Sequence, residues 1–157
     1  MIFETTEEYA AALPRAGALA GLDFGTKTIG VAVSDGLRSV ATPLETVKRK
    51  KFTLDAGRLL EIAEGRGIAG FVLGLPRNMD GSEGPRAQST RAFARNLSRM
   101  TEIPIGFWDE RLSTVAAERA LLEADHSRKR RGELIDAVAA GYILQGLLDR
   151  LSYMSRS

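Results

Sequence analysis

The chain has 157 residues, a length that fits one globular domain able to fold without disulfides or structural metals. It carries 22 Lys and Arg residues against 20 Asp and Glu residues, which gives a net charge of +2. Because the net charge is near zero, any affinity for nucleic acid must come from local clusters of cations. The absence of cysteine and the single histidine, His126, exclude disulfides, thiolate zinc sites, cysteine nucleophiles and two-histidine metal sites. Catalytic groups are therefore expected to be mostly Asp, Glu, Ser or Thr, and a catalytic metal to be Mg²⁺ or Mn²⁺ held by carboxylates.

The chain carries no signal for a membrane or for secretion. No apolar run approaches the roughly 18 residues that span a bilayer. The N-terminus contains Glu4, Glu7 and Glu8 and no early Lys or Arg, unlike a signal peptide. We therefore expect a cytoplasmic protein without membrane partners.

The spacing of apolar residues predicts a sequence of strands and helices. In chain order, these are a helix over residues 4–13, strands over 19–24, 28–34 and 40–47, a helix over 53–64, a strand over 69–75, a helix over 86–100, a strand over 103–108, and helices over 114–123 and 133–151. The tight turn between the first two strands predicts an antiparallel hairpin, and Pro43 favours an edge position for the third strand. Residues 126–131 are predicted to form a basic loop. Three leading strands followed by alternating elements indicate an α/β fold with a mixed sheet and helices on its faces.

Three acids stand at the ends of predicted strands or on a packed helix. Asp23 ends an apolar strand, where a carboxylate is costly unless it is paired or metal-bound, although it also suits the start of the turn at Gly25. Glu110 follows a strand, at the end where open α/β sheets bind ligands, although a solvated loop acid fits this position as well. Asp136 heads the apolar stripe of the last helix, where the helix dipole alone also favours an acid.

The three acids suggest a nuclease site if folding brings them together. Asp109 and Glu110 are neighbours on an extended segment, so their side chains point in opposite directions and only one can face a given site. Converging carboxylates at Asp23, Glu110 and Asp136 would repel one another unless a cation neutralised them. Two divalent ions about 3.5–4 Å apart would do so, and would clamp the attacking and leaving oxygens of a phosphodiester.

Clustered cations supply the second half of this hypothesis. They lie in three places: the helical row Arg91, Arg95 and Arg99, the run 48–51, and the run 128–131. Such runs are often only solvated surface, but the third precedes the helix of Asp136, where a polyanion cleaved at bound metals would need positive charge. The loop over residues 77–82 offers backbone amides to a phosphate, and its plainer role is a loop that caps a helix at Ser82.

Four stretches of the chain contain these acids and this loop. They read DFGTKTIGVAVSD at residues 23–35, GLPRNMDGSEGP at 74–85, DERLST at 109–114 and IDAVAAGYIL at 135–144. Together, in this order, they resemble the hallmark motifs of the YqgF/RuvX family of Holliday-junction-resolvase-like proteins, also described as pre-16S rRNA nucleases. The resemblance covers about residues 18–150.

The resemblance implies an RNase H-like fold with a mixed five-stranded sheet and helices on both faces, formed by residues 18–151 after an N-terminal extension of residues 1–17. It implies that Asp23, Glu110 and Asp136 bind Mg²⁺ or Mn²⁺ and catalyse phosphodiester hydrolysis. The implied substrate is structured RNA, namely the 5′ side of pre-16S rRNA in the cytoplasm, or branched DNA, and the protein is expected to be a monomer or weak homodimer. The expected nucleic-acid-binding residues are Lys27, Arg77, Asn78, Arg91, Arg95, Arg128, Lys129, Arg130 and Arg131.

Other functions stay open from the residues alone. The Asp-x-Gly-Thr segment that begins at Asp23 also resembles the phosphate loop of actin-like kinases and chaperones, but those proteins need two such lobes and this chain has one copy. The basic clusters fit a non-catalytic RNA- or DNA-binding module as well as they fit a nuclease. Such a module would bind RNA without Mg²⁺ and after loss of all three acids.

Overall fold

A computed structural model describes the backbone of residues 1–112 and 128–156, and the side chains of residues 1–112 and 135–155. Its strands are β1 (Ile2–Phe3), β2 (Ala18–Phe24), β3 (Thr28–Ser34), β4 (Ala41–Lys48), β5 (Ile68–Leu75) and β6 (Ile105–Asp109). Its helices are α1 (Thr6–Ala12), α2 (Phe52–Arg66), α3 (Pro85–Ser98) and α4 (Arg128–Arg156), with a 3₁₀ turn at Glu110–Leu112. No helix in these ranges is long and apolar enough to cross a membrane.

The strands form one mixed sheet in the order β1-β6-β5-β2-β3-β4. β1, β6, β5 and β2 run parallel to one another, whereas the β2–β3 and β3–β4 pairs are antiparallel. The predicted hairpin and the predicted edge position of the Pro43 strand are thus confirmed. The carboxyl ends of β2, β5 and β6 meet at one edge of the sheet, where ligands bind in open α/β folds.

The sheet has six described strands rather than the five predicted. The additional strand is β1, which pairs with β6 through Ile2 opposite Ile105 and Phe3 opposite Gly106. Two residues are too few to produce a detectable period, so no pattern in the sequence indicates this strand.

The N-terminal helix was predicted correctly, and it packs against the sheet. The Thr5 side chain accepts a hydrogen bond from the Glu8 amide at 3.1 Å and so caps α1. Tyr9 is 1% exposed and lies against Gly106, where a Cβ would come within 2.7 Å of its ring. The N-terminal segment therefore adds strand β1 to the sheet and packs α1 against it, while a domain boundary at residue 18 stays a prediction.

Two apolar cores cover the two faces of the sheet. One core packs α2 and α3 against it, through residues such as Leu59, Phe93 and Leu97. The other core packs α4 and Tyr9 of α1 against the opposite face. Ala140, Ile143 and Leu147 are fully buried there, which confirms the apolar stripe predicted for the last helix.

Two boundaries differ from the prediction. Residues 128–131 form the first turn of α4 rather than part of a basic loop, because Arg and Lys are good helix formers. The prediction started the helix too late because the strong apolar pattern begins only after these residues. Helix α3 begins at Pro85 after Gly84, so Ser82 lies in the preceding loop and does not cap the helix. The predicted helix over 114–123 and His126 lie outside the described residues.

Candidate functional site

Asp23 lies near the carboxyl end of the central strand β2 and is 3% exposed. It is paired with Gly30 of β3, and paired residues place their side chains on the same face of a sheet. A Cβ at Gly30 would overlap the backbone carbonyl of Asp136 in α4. The Asp23 side chain therefore points to the face covered by α4, beside the point where that helix touches the sheet.

Glu110 reaches the same face from the end of β6. It is 8% exposed and begins the 3₁₀ turn after the strand. A Cβ at Gly74 of β5 would lie 3.0 Å from the Glu110 Oε2 atom and would overlap the side chain of Ile143 in α4. Leu22 and Leu73 are paired, so the next residues, Asp23 and Gly74, lie side by side. The Glu110 carboxylate thus lies above β5, the strand next to that of Asp23. Gly30 and Gly74, which have no side chains, leave room for α4 and the acids to approach the sheet.

Asp136 lies over β3, on the other side of Asp23 from Glu110. Its backbone contacts the Gly30 position, and its carboxylate accepts a hydrogen bond from the hydroxyl of Thr28. As placed in residues 1–112 and 135–155, no three or more acidic or histidine side chains form a group that could hold a metal ion. The three acids lie at one end of the same face, but the Asp136 carboxylate is directed toward Thr28 and does not join a metal-sized cluster with the other two.

Asp109 points away from this face, as its adjacency to Glu110 predicts. Its carboxylate accepts a hydrogen bond from Arg111 at 2.7 Å and lies 3.5 Å from the Arg77 guanidinium. The hydrogen bond from Arg111, followed by its backbone hydrogen bond and charge, holds the pKa of Asp109 below its ordinary value. Asp109 is therefore engaged in fixing the turn that carries Glu110.

Two of the predicted nucleic-acid-binding arginines take part in an ion-pair network. The Arg91 guanidinium donates to Glu83 at 2.6 Å and to Glu4 at 2.9 Å, and Arg77 lies 3.3 Å from Glu83. Hydrogen bonding from Arg91 also lowers the pKa of Glu83. This network ties the N-terminal segment and α3 to the loop before it. A nucleic acid would have to compete with these carboxylates for Arg77 and Arg91.

The loop over residues 77–82 is closed by its own polar groups. The Asn78 side chain donates to the Ser82 hydroxyl at 2.9 Å, and the Ser82 amide and hydroxyl both donate to Asp80. The Gly81 amide donates to the Asn78 carbonyl. Several of the amides that were predicted to bind a phosphate are thus already engaged within the loop.

The remaining predicted cations differ in how they are placed. Lys27 and Arg95 are exposed to solvent. Arg128, Lys129, Arg130 and Arg131 lie in the first turn of α4, and their side chains are outside the described residues. The prediction that these residues bind nucleic acid stays a prediction.

Arg49 is a structural residue that no local pattern distinguished from the rest of the run 48–51. Its guanidinium donates to the carbonyl oxygens of Gly25 and Thr26 at 2.8 and 3.1 Å, and it stacks on the Phe24 ring at 4.3 Å. The hairpin turn beside Asp23 is therefore pinned by a cation from the end of β4. Thr28, the partner of Asp136, was missed for the same reason, since 108 residues separate the two.

The mixed sheet, with helices on both faces and an acid near the end of its central strand, defines an RNase H-like fold. RuvC of T. thermophilus has the same fold: a structure of it with a Holliday junction substrate superposes with a TM-score of 0.54 at 14% identity, over 87% of this chain and 96% of that one. A second structure of Thermus thermophilus RuvC gives a TM-score of 0.51 at 15% identity, over 86% and 96% of the two chains.

The sequence profile described as "RuvX: Holliday junction resolvase" matches residues 17–150, and the chain belongs to the RuvX family. This confirms the resemblance seen in the four motifs. A relative from Ruegeria pomeroyi is 78% identical over 151 residues, covering 96% of this chain and 98% of the relative. A relative from Cereibacter sphaeroides (strain ATCC 17025) is 74% identical over 156 residues, covering 99% and 98%. Both relatives bear the name "Putative pre-16S rRNA nuclease".

Proposed function

We propose that this chain is a divalent-metal-dependent endonuclease that processes the 5′ end of pre-16S rRNA in the cytoplasm. The observation that carries the proposal is the burial of Asp23 and Glu110 on one face, above adjacent strands, at 3% and 8% exposure. Carboxylate oxygens gathered on one buried face are the ligands that a hard divalent cation prefers. Their position at the carboxyl edge of a parallel set of strands is where substrates of α/β proteins bind.

The donor atoms fit Mg²⁺ or Mn²⁺ because all of them are carboxylate oxygens held on regular secondary structure. Asp23 and Glu110 would be the fixed ligands, supplied by β2 and by the turn after β6. Asp136 would be the third ligand after its carboxylate turned away from Thr28. A bound divalent ion acidifies water and stabilises negative charge on a phosphoryl oxygen. The protein's own part is to hold the carboxylates in register and to exclude water on one side with Ile143 of α4.

Structured RNA is the substrate that the relatives favour. Proteins more than 70% identical over nearly the whole chain are named as pre-16S rRNA nucleases. Branched DNA is the second candidate, because the family description is that of a Holliday junction resolvase and the RuvC structure of the same fold holds such a junction. A monomer or weak homodimer is the proposed oligomeric state.

The test is cleavage of a 16S precursor fragment by purified protein, with and without Mn²⁺. We expect cleavage only with metal, and a loss of about 10²–10³ in rate for Asp23→Asn, the cost of removing one preorganised electrostatic group. The matched control is Asp149→Asn, which changes an exposed carboxylate on α4 that is bonded to Gln145. Full metal-dependent activity in Asp23→Asn would contradict the proposal, and Mg²⁺-independent RNA binding without any cleavage would favour a non-catalytic module.

A further inference from the structure

A groove lies on the opposite face of the sheet from the acids, between the β2–β3 turn and helices α2 and α3. It consists of two cavities of about 270 and 150 Å³ that share Phe24, Arg49 and Ser89 in their walls. The larger cavity extends along the start of α2, and the smaller extends toward Pro85 and Arg86 at the start of α3. We refer to both cavities together as the Arg49 groove.

The Arg49 groove is close to the candidate active site through the backbone of β2. Asp23 and Phe24 are consecutive residues of this strand, so their side chains lie on opposite faces of the sheet. The short turn over residues 25–27 separates the two faces at this edge. A flexible polymer that crosses the turn would reach the acids on one side and the groove on the other.

The walls of the groove carry positive charge. Arg49, Lys50 and Arg86 all line it. Within the described residues, the hydrogen bonds of Arg49 to the turn use a single nitrogen of its guanidinium, Nη1. The other guanidinium N–H groups keep donor capacity for a phosphate, because arginine carries five N–H donors.

The floor of the groove combines aromatic rings with one buried carboxylate, Asp55, and the amide of the exposed Asn96. Phe24 and Phe93 stack at 4.5 Å, and Phe52, which is half-buried, meets Phe93 edge-on at 5.7 Å. Asp55 is 5% exposed and accepts the Lys50 amide at 3.0 Å, so its carboxylate is fixed in the wall. Asn96 lines the same cavity. Aromatic and guanidinium surfaces stack on bases, and carboxylate and amide groups hydrogen-bond to their edges.

We propose that the Arg49 groove binds an unpaired segment of the nucleic-acid substrate, next to the bond that is cleaved on the face of Asp23. Cations along the rim contact its phosphates, and the cavity beside Phe52 receives a base. The groove selects single strands because a base within a duplex is held in its stack and cannot enter a cavity. This inference rests on the proposed nuclease function, since it assigns the flank of the same substrate.

The first test blocks the groove without changing its charge. Ser89 is exposed on α3 and lines both cavities, so Ser89→Leu fills the groove with an aliphatic side chain that offers no ring for a base to stack on. Its neighbour Gln88 is also exposed but does not line either cavity, and Gln88→Leu is the matched control. Fluorescence anisotropy with a labelled single-stranded RNA of about 12 nucleotides, in EDTA, measures binding without cleavage. We expect Ser89→Leu to weaken binding about tenfold, the effect of losing one stacked base, and Gln88→Leu to leave it unchanged.

The second test removes charge and counts phosphate contacts. The double variant Lys50→Ala and Arg86→Ala should make the negative slope of log affinity against log salt concentration shallower by about 1.4, since each phosphate contact to a single strand contributes about 0.7. Arg66→Ala, which removes a cation from the opposite end of α2, should leave the slope unchanged.

Each possible result bears on the groove separately from the cleavage reaction. The assignment would be overturned by any of four results: wild-type affinity in Ser89→Leu, equal weakening in Gln88→Leu, tighter binding of a duplex than of a single strand, or no binding by the wild type. The Asp23→Asn cleavage assay tests the nuclease proposal independently, because the anisotropy measurement needs neither metal nor turnover. If the wild type cleaved nothing but Ser89→Leu still lost RNA binding, the groove would be supported and the nuclease proposal refuted.

Discussion

Gly30→Ala should disrupt the contact between α4 and the sheet, and with it the placement of Asp136. The added Cβ would overlap the carbonyl carbon and oxygen of Asp136. These are backbone atoms, so no side-chain rotation relieves the overlap, and the part of α4 around Asp136 has to move away from β3. The variant therefore tests whether the close approach at Gly30 positions the third acid.

The expected cost follows from this geometry. Overpacking a well-packed interior costs about 1–3 kcal/mol, and a clash with backbone belongs at the upper end or above it. In a chain of this length, about 3 kcal/mol lowers the melting temperature by roughly 6–12 °C. Metal-dependent cleavage should fall as well, because the Asp136 carboxylate moves with its helix away from Asp23.

The control is Gly57→Ala in the interior of α2, where a Cβ would meet nothing within 4 Å. There the substitution should raise stability by about 0.5–1 kcal/mol, because alanine favours helix more than glycine does. Urea denaturation followed by circular dichroism compares the two variants. If Gly30→Ala were as stable and as active as the wild type, α4 would not pack on β3 as described.

Three further perturbations test separate contacts. Thr28→Val removes the hydroxyl that binds the Asp136 carboxylate, so the carboxylate is released for metal binding. We expect half-maximal cleavage at a lower Mn²⁺ concentration than in the wild type. An unchanged or higher concentration would contradict the proposal that Asp136 turns from Thr28 toward the metal. Arg91→Met should reduce the loss of folding stability in acid. Because the pKa of Glu83 is lowered in the folded state, the contribution of Glu83 to stability is complete above the ordinary carboxyl pKa and is lost as pH falls through the folded value. Urea denaturation at a series of pH values across this range measures the difference between the variant and the wild type. Tyr9→Phe should not destabilise the protein, because within the described residues the buried Tyr9 hydroxyl has no hydrogen-bond partner. Tyr9→Ala should lower the free energy of unfolding by about 3–5 kcal/mol, measured by thermal denaturation. A large loss of stability in Tyr9→Phe would reveal a partner for the hydroxyl.

Local periodicity was sufficient to predict much of the fold. The period-2 pattern before and after the turn at residues 25–27 predicts the β2–β3 hairpin, and Pro43 predicts the edge strand. The adjacency of Asp109 and Glu110 predicts that only one of them faces the α4 side of the sheet. These features depend on residues that are close in sequence, which is the range over which such patterns carry information.

The features that were missed depend on contacts between distant residues. β1 has two residues and exists because β6 offers it hydrogen bonds, including one from the Ile105 amide to the Met1 carbonyl. The bond between Thr28 and Asp136, and the two bonds of Arg49 to the hairpin turn, join segments whose pairing only the folded chain defines. No spacing rule within one element identifies such partners.

Diffraction from a crystal soaked in Mn²⁺, collected at a wavelength where manganese scatters anomalously, tests the joint metal binding of the acids most directly. The proposal predicts an anomalous peak with oxygens of Asp23 and Glu110 about 2.1 Å away, and with the Asp136 carboxylate turned from Thr28 toward the ion. The proposal would be contradicted if the protein cleaved RNA but its manganese bound away from Asp23.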